Sequence, residues 1–372
     1  MAGFRSFAVS SWRRGARALV VAMAVLAAQA PLAAQAAVPD RWGFAFMDNP
    51  TPPPGMTLDT SHQWGSWKTA FPGLWATVDQ IGAGRYVVHF PQLAPGLPVP
   101  RGIVHVTAVN PGPVWCQALD WRPAPPDEDV YVKCYRVGGG AIDSTFTVLF
   151  SQSSGLPAPP GGDYAYVQSD PSGAIVTEYN STGAANFVSH GPTGNYKVGL
   201  PGVGAATMVG NIQVTAVDVP PVRCKPAAWA PSAGGQTILV QCNDAAGMPV
   251  DTGWTLTYQN KRSIFGAVSP PKFFAYTWPT LPAVPPVDFN SQGGANVVGS
   301  AGTGLHIVQL TRVGVLPDHV QVTAFTDAPN FCQLNSQWAA SGMTATVRDV
   351  ACYTNAGAPV DERAFTTYTS AR

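Results

Sequence analysis

Charged side chains are scarce in this chain of 372 residues, because Lys, Arg, Asp and Glu together make up only 11% of it. Ordinary globular proteins carry about 25%. Glu occurs only as Glu128, Glu178 and Glu362, and Lys is nearly as rare. Since Glu and Lys are strong helix formers, their scarcity argues against long helices. No basic stripe is present that would favour nucleic acid as a partner.

Signatures of catalysis and of metal binding are also missing. We find no GxSxG, HExxH, P-loop, EF-hand or CxxC pattern. The six His residues are dispersed and share no repeated partner. The sequence therefore predicts no catalytic residue, no metal site and no cofactor.

Turn-forming and strand-forming residues are abundant instead. The chain has 38 Gly and 36 Pro, and runs rich in Val, Thr and aromatic residues alternate between apolar and polar positions. Turn signals separate these runs about every 8–12 residues, which is typical of an antiparallel β-sandwich. We therefore predict an all-β fold.

The first 37 residues have the features of an export signal. Four Arg residues lie before position 18, an apolar core covers residues 18–30, and Ala34-Gln35-Ala36 is a small-x-small cleavage site. The apolar core is too short for a permanent membrane span. This pattern predicts a secreted protein, extracellular or periplasmic, with no membrane span after cleavage. Arg13-Arg14 leaves twin-arginine export open as an alternative route.

One unit of about 35 residues occurs three times. In each copy a Cys is followed five or six residues later by Trp, then by a second Cys, and nine residues beyond that by Asp. The three sets are Cys116, Trp121, Cys134 and Asp143; Cys224, Trp229, Cys242 and Asp251; and Cys332, Trp338, Cys352 and Asp361.

Further repeated segments extend each copy upstream. GRYVVHFP, GNYKVGLP and GLHIVQLT correspond to one another, and the next strand reads IVHVTAV, NIQVTAV and HVQVTAF. The repeats predict three tandem antiparallel β-sandwich modules, at residues 38–152, 162–263 and 272–372. We refer to them as modules 1, 2 and 3. The two Pro-rich linkers between them are predicted to be semi-rigid spacers.

Six Cys residues in an exported chain predict disulfides. The repeat selects one pairing out of 15, with a single bond in each module: Cys116–Cys134, Cys224–Cys242 and Cys332–Cys352. Zinc is a poor alternative because the Cys residues are not grouped at ligand spacings. The short separation predicts that each bond joins neighbouring strands of a hairpin.

The repeated Trp121, Trp229 and Trp338 and the repeated Asp143, Asp251 and Asp361 are interpreted as structural. Each Asp enters the last strand of its module, where a turn hydrogen bond to the backbone is its expected role. A calcium-binding or catalytic role for these Asp residues is the alternative.

Module 1 departs from the repeat by an insertion of about ten residues within residues 61–75, measured from Phe46, the presumed equivalent of Tyr166. The insertion contains Trp64, Trp67 and Trp75. Several Trp on one loop could form a stacking platform for sugar rings or a contact surface for a protein. Alternatively, they cover the open end of the first core.

The repeated motifs resemble a family of uncharacterised secreted bacterial proteins built of tandem modules. The clearest matches are the segments YNSTG at residues 179–183, FNSQGG at 289–294, YKVGLPG at 196–202 and GMPVD at 247–251. The resemblance covers essentially all of the chain after the export signal. It implies exported β modules, and it implies no activity and no functional residue. Module 3 departs from the pattern at Ala364, where modules 1 and 2 have Phe146 and Trp254.

Three functional hypotheses follow. The first is a non-catalytic binding protein of the cell surface or extracellular space, whose partner is a glycan, cell wall or protein. The second is a protease-resistant structural spacer. The third is a secreted hydrolase, which would require a pocket in module 1 that gathers His62, His89 or His105 with an Asp and a Ser. The sequence does not indicate an oligomeric state.

Overall fold

Short alternating runs between Gly- and Pro-rich turns fold as strands in every described part of the chain. The computed structural model describes residues 40–94, 102–153, 162–266, 272–278 and 287–372. The predicted export signal and most of both predicted linkers lie outside these residues. The structure confirms the all-β prediction and all three predicted disulfides. In the described residues no helix is long and apolar enough to cross a membrane.

In its described residues, module 1 contains nine strands and one short 3-10 helix, Ser66–Thr69. One sheet has the order β3-β1-β9-β6 and the other the order β2-β4-β5-β8-β7. The strands are β1 (Arg41–Met47), β2 (Met56–Thr57), β3 (Gln63–Gly65), β4 (Thr77–Gly82), β5 (Arg85–Phe90), β6 (Ile103–Val109), β7 (Val114–Ala124), β8 (Asp127–Arg136) and β9 (Thr145–Gln152).

Module 2 repeats this arrangement with two four-stranded groups, β11-β10-β17-β14 and β12-β13-β16-β15. Its strands are β10 (Asp163–Ser169), β11 (Ile175–Asn180), β12 (Phe187–His190), β13 (Asn195–Pro201), β14 (Asn211–Val217), β15 (Val222–Ser232), β16 (Gly235–Asp244) and β17 (Gly253–Asn260).

Module 3 has the orders β19-β18-β26-β22 and β20-β21-β25-β23, with β24 beside β25. Its strands are β18 (Phe274–Trp278), β19 (Val287–Asn290), β20 (Asn296–Gly302), β21 (Leu305–Gly314), β22 (Asp318–Phe325), β23 (Phe331–Leu334), β24 (Ala339–Ser341), β25 (Met343–Tyr353) and β26 (Arg363–Ser370).

The two sheets of each module enclose a core that contains the disulfide and the repeated Trp. The paired Cys residues lie directly opposite each other on adjacent antiparallel strands, as predicted for a hairpin, with Cα atoms 4.0–4.1 Å apart. Trp121, Trp229 and Trp338 are buried in the three cores. The disulfide therefore fastens two strands at the centre of each core.

Edge strands of neighbouring modules pair side by side. β7 of module 1 runs parallel to β14 of module 2, and β23 of module 3 runs parallel to β6 of module 1. The three junctions share one backbone hydrogen bond, donated by the residue that follows β6, β14 or β22: Asn110 N to Leu334 O, 2.8 Å; Asp218 N to Ala118 O, 3.1 Å; and Thr326 N to Pro226 O, 3.3 Å. Every module therefore contacts both others, and the modules form a closed ring with approximate threefold symmetry.

The strands β6, β14 and β22 line the centre of this ring and are buried almost completely on both faces. A Thr at the same position of each strand, Thr107, Thr215 and Thr323, links it to a neighbouring module, and we call these residues the threonine ring. Each hydroxyl accepts a hydrogen bond from a buried backbone N–H: Val106 N to Thr215, 3.2 Å; Val214 N to Thr323, 3.3 Å; and Val322 N to Thr107, 3.1 Å. These bonds satisfy backbone groups that water cannot reach.

Candidate functional site

The insertion of module 1 is anchored at its base by strand pairing and by one buried amide. β3 pairs with β1, which places Gly65 opposite Gly43. The buried Gln63 side chain donates to Leu58 O at 2.6 Å and accepts from Ala76 N at 2.7 Å. These contacts join both ends of the segment and attach its base to the rest of module 1.

Trp67 belongs to the core of module 1 and lies outside any surface platform. Its side chain is only 3% exposed and packs against Phe90, and its Nε1 donates to Leu74 O at 3.1 Å. A Cβ atom added at Gly65 would lie 1.8 Å from the indole ring, so only Gly leaves room for it. The prediction that Trp67 shares a ligand-binding surface with Trp64 and Trp75 is therefore wrong, because the ring is needed to fill the core.

Trp64 and Trp75 do lie together, half-buried, with ring centroids 6.4 Å apart in an edge-to-face arrangement. The Lys68 ammonium sits 3.0 Å from the Trp75 centroid and 5.2 Å from that of Trp64. Arg372 lies 4.7 Å from the Trp64 centroid. Burial lowers the pKa of Lys68 to about 8. Part of each indole face is therefore already covered by a cation.

The outer surface of the insertion carries further apolar side chains. Phe71 is 44% exposed and Leu74 is 40% exposed. Leu74 N donates to Phe71 O at 3.1 Å, and Leu74 is followed directly by Trp75. We call Trp64, Phe71, Leu74 and Trp75 the insertion face.

Strand register enlarges the insertion slightly. Phe44 pairs with Leu149 and Tyr166 pairs with Thr257, and these two partners follow the second Cys of their modules at the same distance. Phe44, and not Phe46, is therefore the equivalent of Tyr166. Because Phe44 lies two positions earlier in the chain, the insertion is two residues longer than the comparison from Phe46 indicates.

The repeated Asp residues each accept a hydrogen bond from a backbone N–H. The bonds run from Gly84 to Asp143 at 2.6 Å, from Gly194 to Asp251 at 2.6 Å and from Gly304 to Asp361 at 2.7 Å. Each Gly has a positive φ, between 62° and 72°, and a Cβ there would collide with the carbonyl oxygen of the second Cys. The carboxylates thus support the turn beside each disulfide, which is the backbone role described above.

The three His residues of the hydrolase hypothesis have separate partners. His62 Nδ1 lies 2.5 Å from the Asp318 carboxylate. His89 contacts two Asp residues near the surface, and His105 is enclosed between Thr215 and Thr257. Burial lowers the pKa of His105 to about 3, so it stays neutral. These arrangements give the hydrolase hypothesis no assembled triad.

The contact between His62 and Asp318 links the insertion to module 3. The Asp318 carboxylate is fully buried and also accepts from Trp338 Nε1 and from the Tyr368 hydroxyl, both at 2.8 Å. Burial lowers the pKa of His62. The hydrogen bond to Asp318 and the charge of that carboxylate raise the pKa, and together with Asp59 they outweigh burial, so the net shift is upward. The sequence carries no signal for this pair, because its members lie in different modules, far apart along the chain.

Comparison of the chain with protein-family models, with curated proteins and with solved structures finds no match. The family resemblance therefore stays an expectation. In the part of the chain that the structure describes, no group of three or more His, Cys, Asp or Glu side chains is arranged to hold a metal ion.

Proposed function

We propose that this chain is an exported, non-catalytic binding protein that acts outside the cytoplasm, with the insertion face as its contact surface. The observation that carries the proposal is the exposure of Phe71 and Leu74 beside the half-buried Trp64 and Trp75. This segment departs from the threefold copy, and it places several large apolar groups together. Grouped apolar side chains at a surface favour a binding role more than scattered ones do.

An extracellular or cell-envelope glycan is the ligand class that suits this surface, and a protein partner is the alternative. Aromatic rings bury large area without losing much side-chain freedom, which favours contact with sugar rings. Lys68 and Arg372 cover part of the Trp64 and Trp75 rings, whereas Phe71 and Leu74 are the most exposed members of the insertion face. A ligand would therefore contact Phe71, Leu74 and the exposed part of Trp75.

The structural-spacer hypothesis has less support. A spacer gains reach when its modules are arranged in line, whereas here modules 1 and 3 pair through β6 and β23. The separate partners of His62, His89 and His105 give equally little support to a hydrolase.

Glycan-array screening and pull-down with isolated cell-envelope fractions test the proposal. The F71A/L74A double variant and the W75A variant should lose binding at least about tenfold, which corresponds to about 1.4 kcal/mol. The matched control is M248A, since Met248 is 63% exposed and lies in module 2. F71A/L74A and M248A replace exposed side chains, so each should change the free energy of unfolding by no more than about 0.5 kcal/mol per residue.

Two results would count against the proposal. If the protein captures no glycan, envelope fraction or protein, it has no binding function of this kind. If binding persists in F71A/L74A and W75A, the contact surface lies elsewhere.

A further inference from the structure

A cavity of about 60 Å³ lies on the approximate threefold axis, at one end of the threonine ring. Its lining combines equivalent residues of all three modules, from β6, β14 and β22 and from the starts of β7, β15 and β23. Only Asn330 and Cys332 of the lining are partly exposed, so the cavity opens beside β23. We call it the axial pocket.

The first set of equivalent lining residues is Trp115, Arg223 and Phe331, each directly before the first Cys of its module. The Arg223 guanidinium lies 4.5 Å from the Trp115 ring centroid and 4.7 Å from that of Phe331. It is 7% exposed, and its Nη2 donates to Asn355 and to Asp244 O. Its Nε and Nη1 are buried without a hydrogen-bond partner.

The second set is Gln117, Lys225 and Gln333. Lys225 is 4% exposed, and its ammonium donates to Asn243 Oδ1 at 3.0 Å and to Gln241 Oε1 at 3.4 Å. Lys225 thus stands where the other two modules have a neutral amide.

Neither cation forms a direct ion pair with a carboxylate, although Asp244 acts on Arg223 at longer range, and Glu362 and Asp327 act on Lys225. The ion pairs of the described residues involve other side chains. Burial lowers the pKa of Arg223 to about 10 and that of Lys225 to about 7, and in Lys225 the neighbouring Arg223 adds to the effect. Burying a charge without a counter-charge is costly, and an anion between the two groups would offset that cost.

We propose that the axial pocket is a binding site for a small oxyanion, held by the Arg223 guanidinium and the Lys225 ammonium. One water needs at least about 10–15 Å³ of such volume, so the pocket holds about four waters, which is room for one phosphate, sulfate or short carboxylate. Charge-assisted hydrogen bonds from Arg and Lys are the contacts that such anions favour. This site is separate from the insertion face, and either proposal can fail without the other.

Isothermal titration calorimetry of the full chain with phosphate, sulfate and acetate, each in a chloride buffer of fixed ionic strength, tests the site. Two variants copy residues that other modules already tolerate: Lys225→Gln and Arg223→Phe. Each variant removes a charged hydrogen-bond donor to the anion, so each should weaken binding by at least about tenfold. The control is Lys197→Gln, which removes one exposed positive charge from module 2 and should leave affinity unchanged.

Comparison of the anions identifies the ligand class. Tighter binding of phosphate and sulfate than of acetate would assign a tetrahedral oxyanion, and the reverse order would assign a carboxylate. Absence of heat and of any shift in melting temperature with all three anions would overturn the proposal. So would equal stabilisation of the parent and of Lys225→Gln, since phosphate and sulfate strengthen folding of any protein at high concentration.

Discussion

Gln117 and Lys225 occupy the same position in two modules but serve different ends. The Gln117 amide donates to Asp218 O at 2.6 Å and to Pro220 O at 2.8 Å, and it accepts from Val222 N at 2.9 Å. All three partners belong to the next module. We call these three hydrogen bonds the clamp. Lys225 donates only to groups of its own module, so the junction between modules 2 and 3 lacks the clamp.

Gln333 makes the same three bonds at the junction between modules 3 and 1, so a Gln at this position serves to join neighbouring modules. It donates to Asn110 O and Gly112 O, both at 2.6 Å, and accepts from Val114 N at 2.8 Å. Modules 1 and 3 therefore both have a Gln that helps to close the ring. Module 2 has Lys225 instead, which buries a charge and makes no such bond. A departure of that kind, beside the unpartnered nitrogens of Arg223, favours binding over folding as the reason for Lys225.

The largest effect is expected from breaking the clamp with Gln117→Leu. This change leaves the buried Val222 N–H and two carbonyl groups without partners, and each such group costs about 1–3 kcal/mol. The free energy of unfolding should fall by about 3–5 kcal/mol in chemical denaturation. Gln337→Leu is the control, since Gln337 is exposed. A loss below about 1 kcal/mol would mean that the clamp does not hold the ring.

Completing the clamp with Lys225→Gln should have a smaller effect of opposite sign. By analogy with Gln117, the new amide would reach the segment that joins β22 to β23. Replacing an uncompensated buried charge stabilises proteins by about 1–4 kcal/mol. We expect a gain within that range at pH 6, measured by chemical denaturation without added oxyanion.

The pH dependence of this gain gives a sharper check. The folded-state pKa of Lys225, about 7, lies below its ordinary value of 10.5, because of burial first and Arg223 second, opposed by Glu362 and Asp327. Between these two values the unfolded chain binds the proton more tightly, so parent stability rises with pH. The advantage of Lys225→Gln should therefore be full below pH 7 and shrink towards pH 10.5. A constant difference would show that folding does not shift the pKa of Lys225.

The repeat between modules also explains which features of the fold could be predicted from the sequence. Pairing Cys116 with Cys134 required only local spacing and a repeat, because the two residues lie opposite each other on one hairpin. Strand content followed from alternation, since one face of each strand packs on a core. Both properties are set by residues close together in the chain.

Features that depend on contacts between distant segments could not be predicted from the sequence. Ring closure brings β6 against β23, although all of module 2 separates them in the chain, and the Asp318 carboxylate meets His62 in the same way. Trp67 was misplaced because one-dimensional clustering does not say which Trp points inward. A signal for the axial pocket was nevertheless present. The residues flanking the first Cys read Trp-Cys-Gln, Arg-Cys-Lys and Phe-Cys-Gln, and only the middle copy is cationic.

The smallest effect is expected where the three modules agree. Asp143, Asp251 and Asp361 all accept from a Gly N–H, so replacing each by Ala should cost about 1 kcal/mol. The three values should lie within about 0.5 kcal/mol of one another, because the bond from Gly is common to all three. Asp143 also accepts from Gln80 Nε2 and Asp251 also contacts His190, and these additional contacts account for the remaining spread. Denaturation of D143A, D251A and D361A measures this, with D120A as the control because Asp120 is exposed.

A pH series extends the test to the charge of the carboxylate. The Gly194 N–H, and after it His190, holds the pKa of Asp251 below its ordinary value of 3.8. A depressed carboxyl pKa contributes stability above the unfolded value and loses it as pH falls through the folded one. The difference between parent and D251A should therefore be constant above about pH 5 and shrink below pH 4. The three Asp variants could instead differ as widely as the variants at Gln117 and Lys225. Equivalent positions would then not share a role, and Gln117 and Gln333 would no longer show what the position of Lys225 does in the fold.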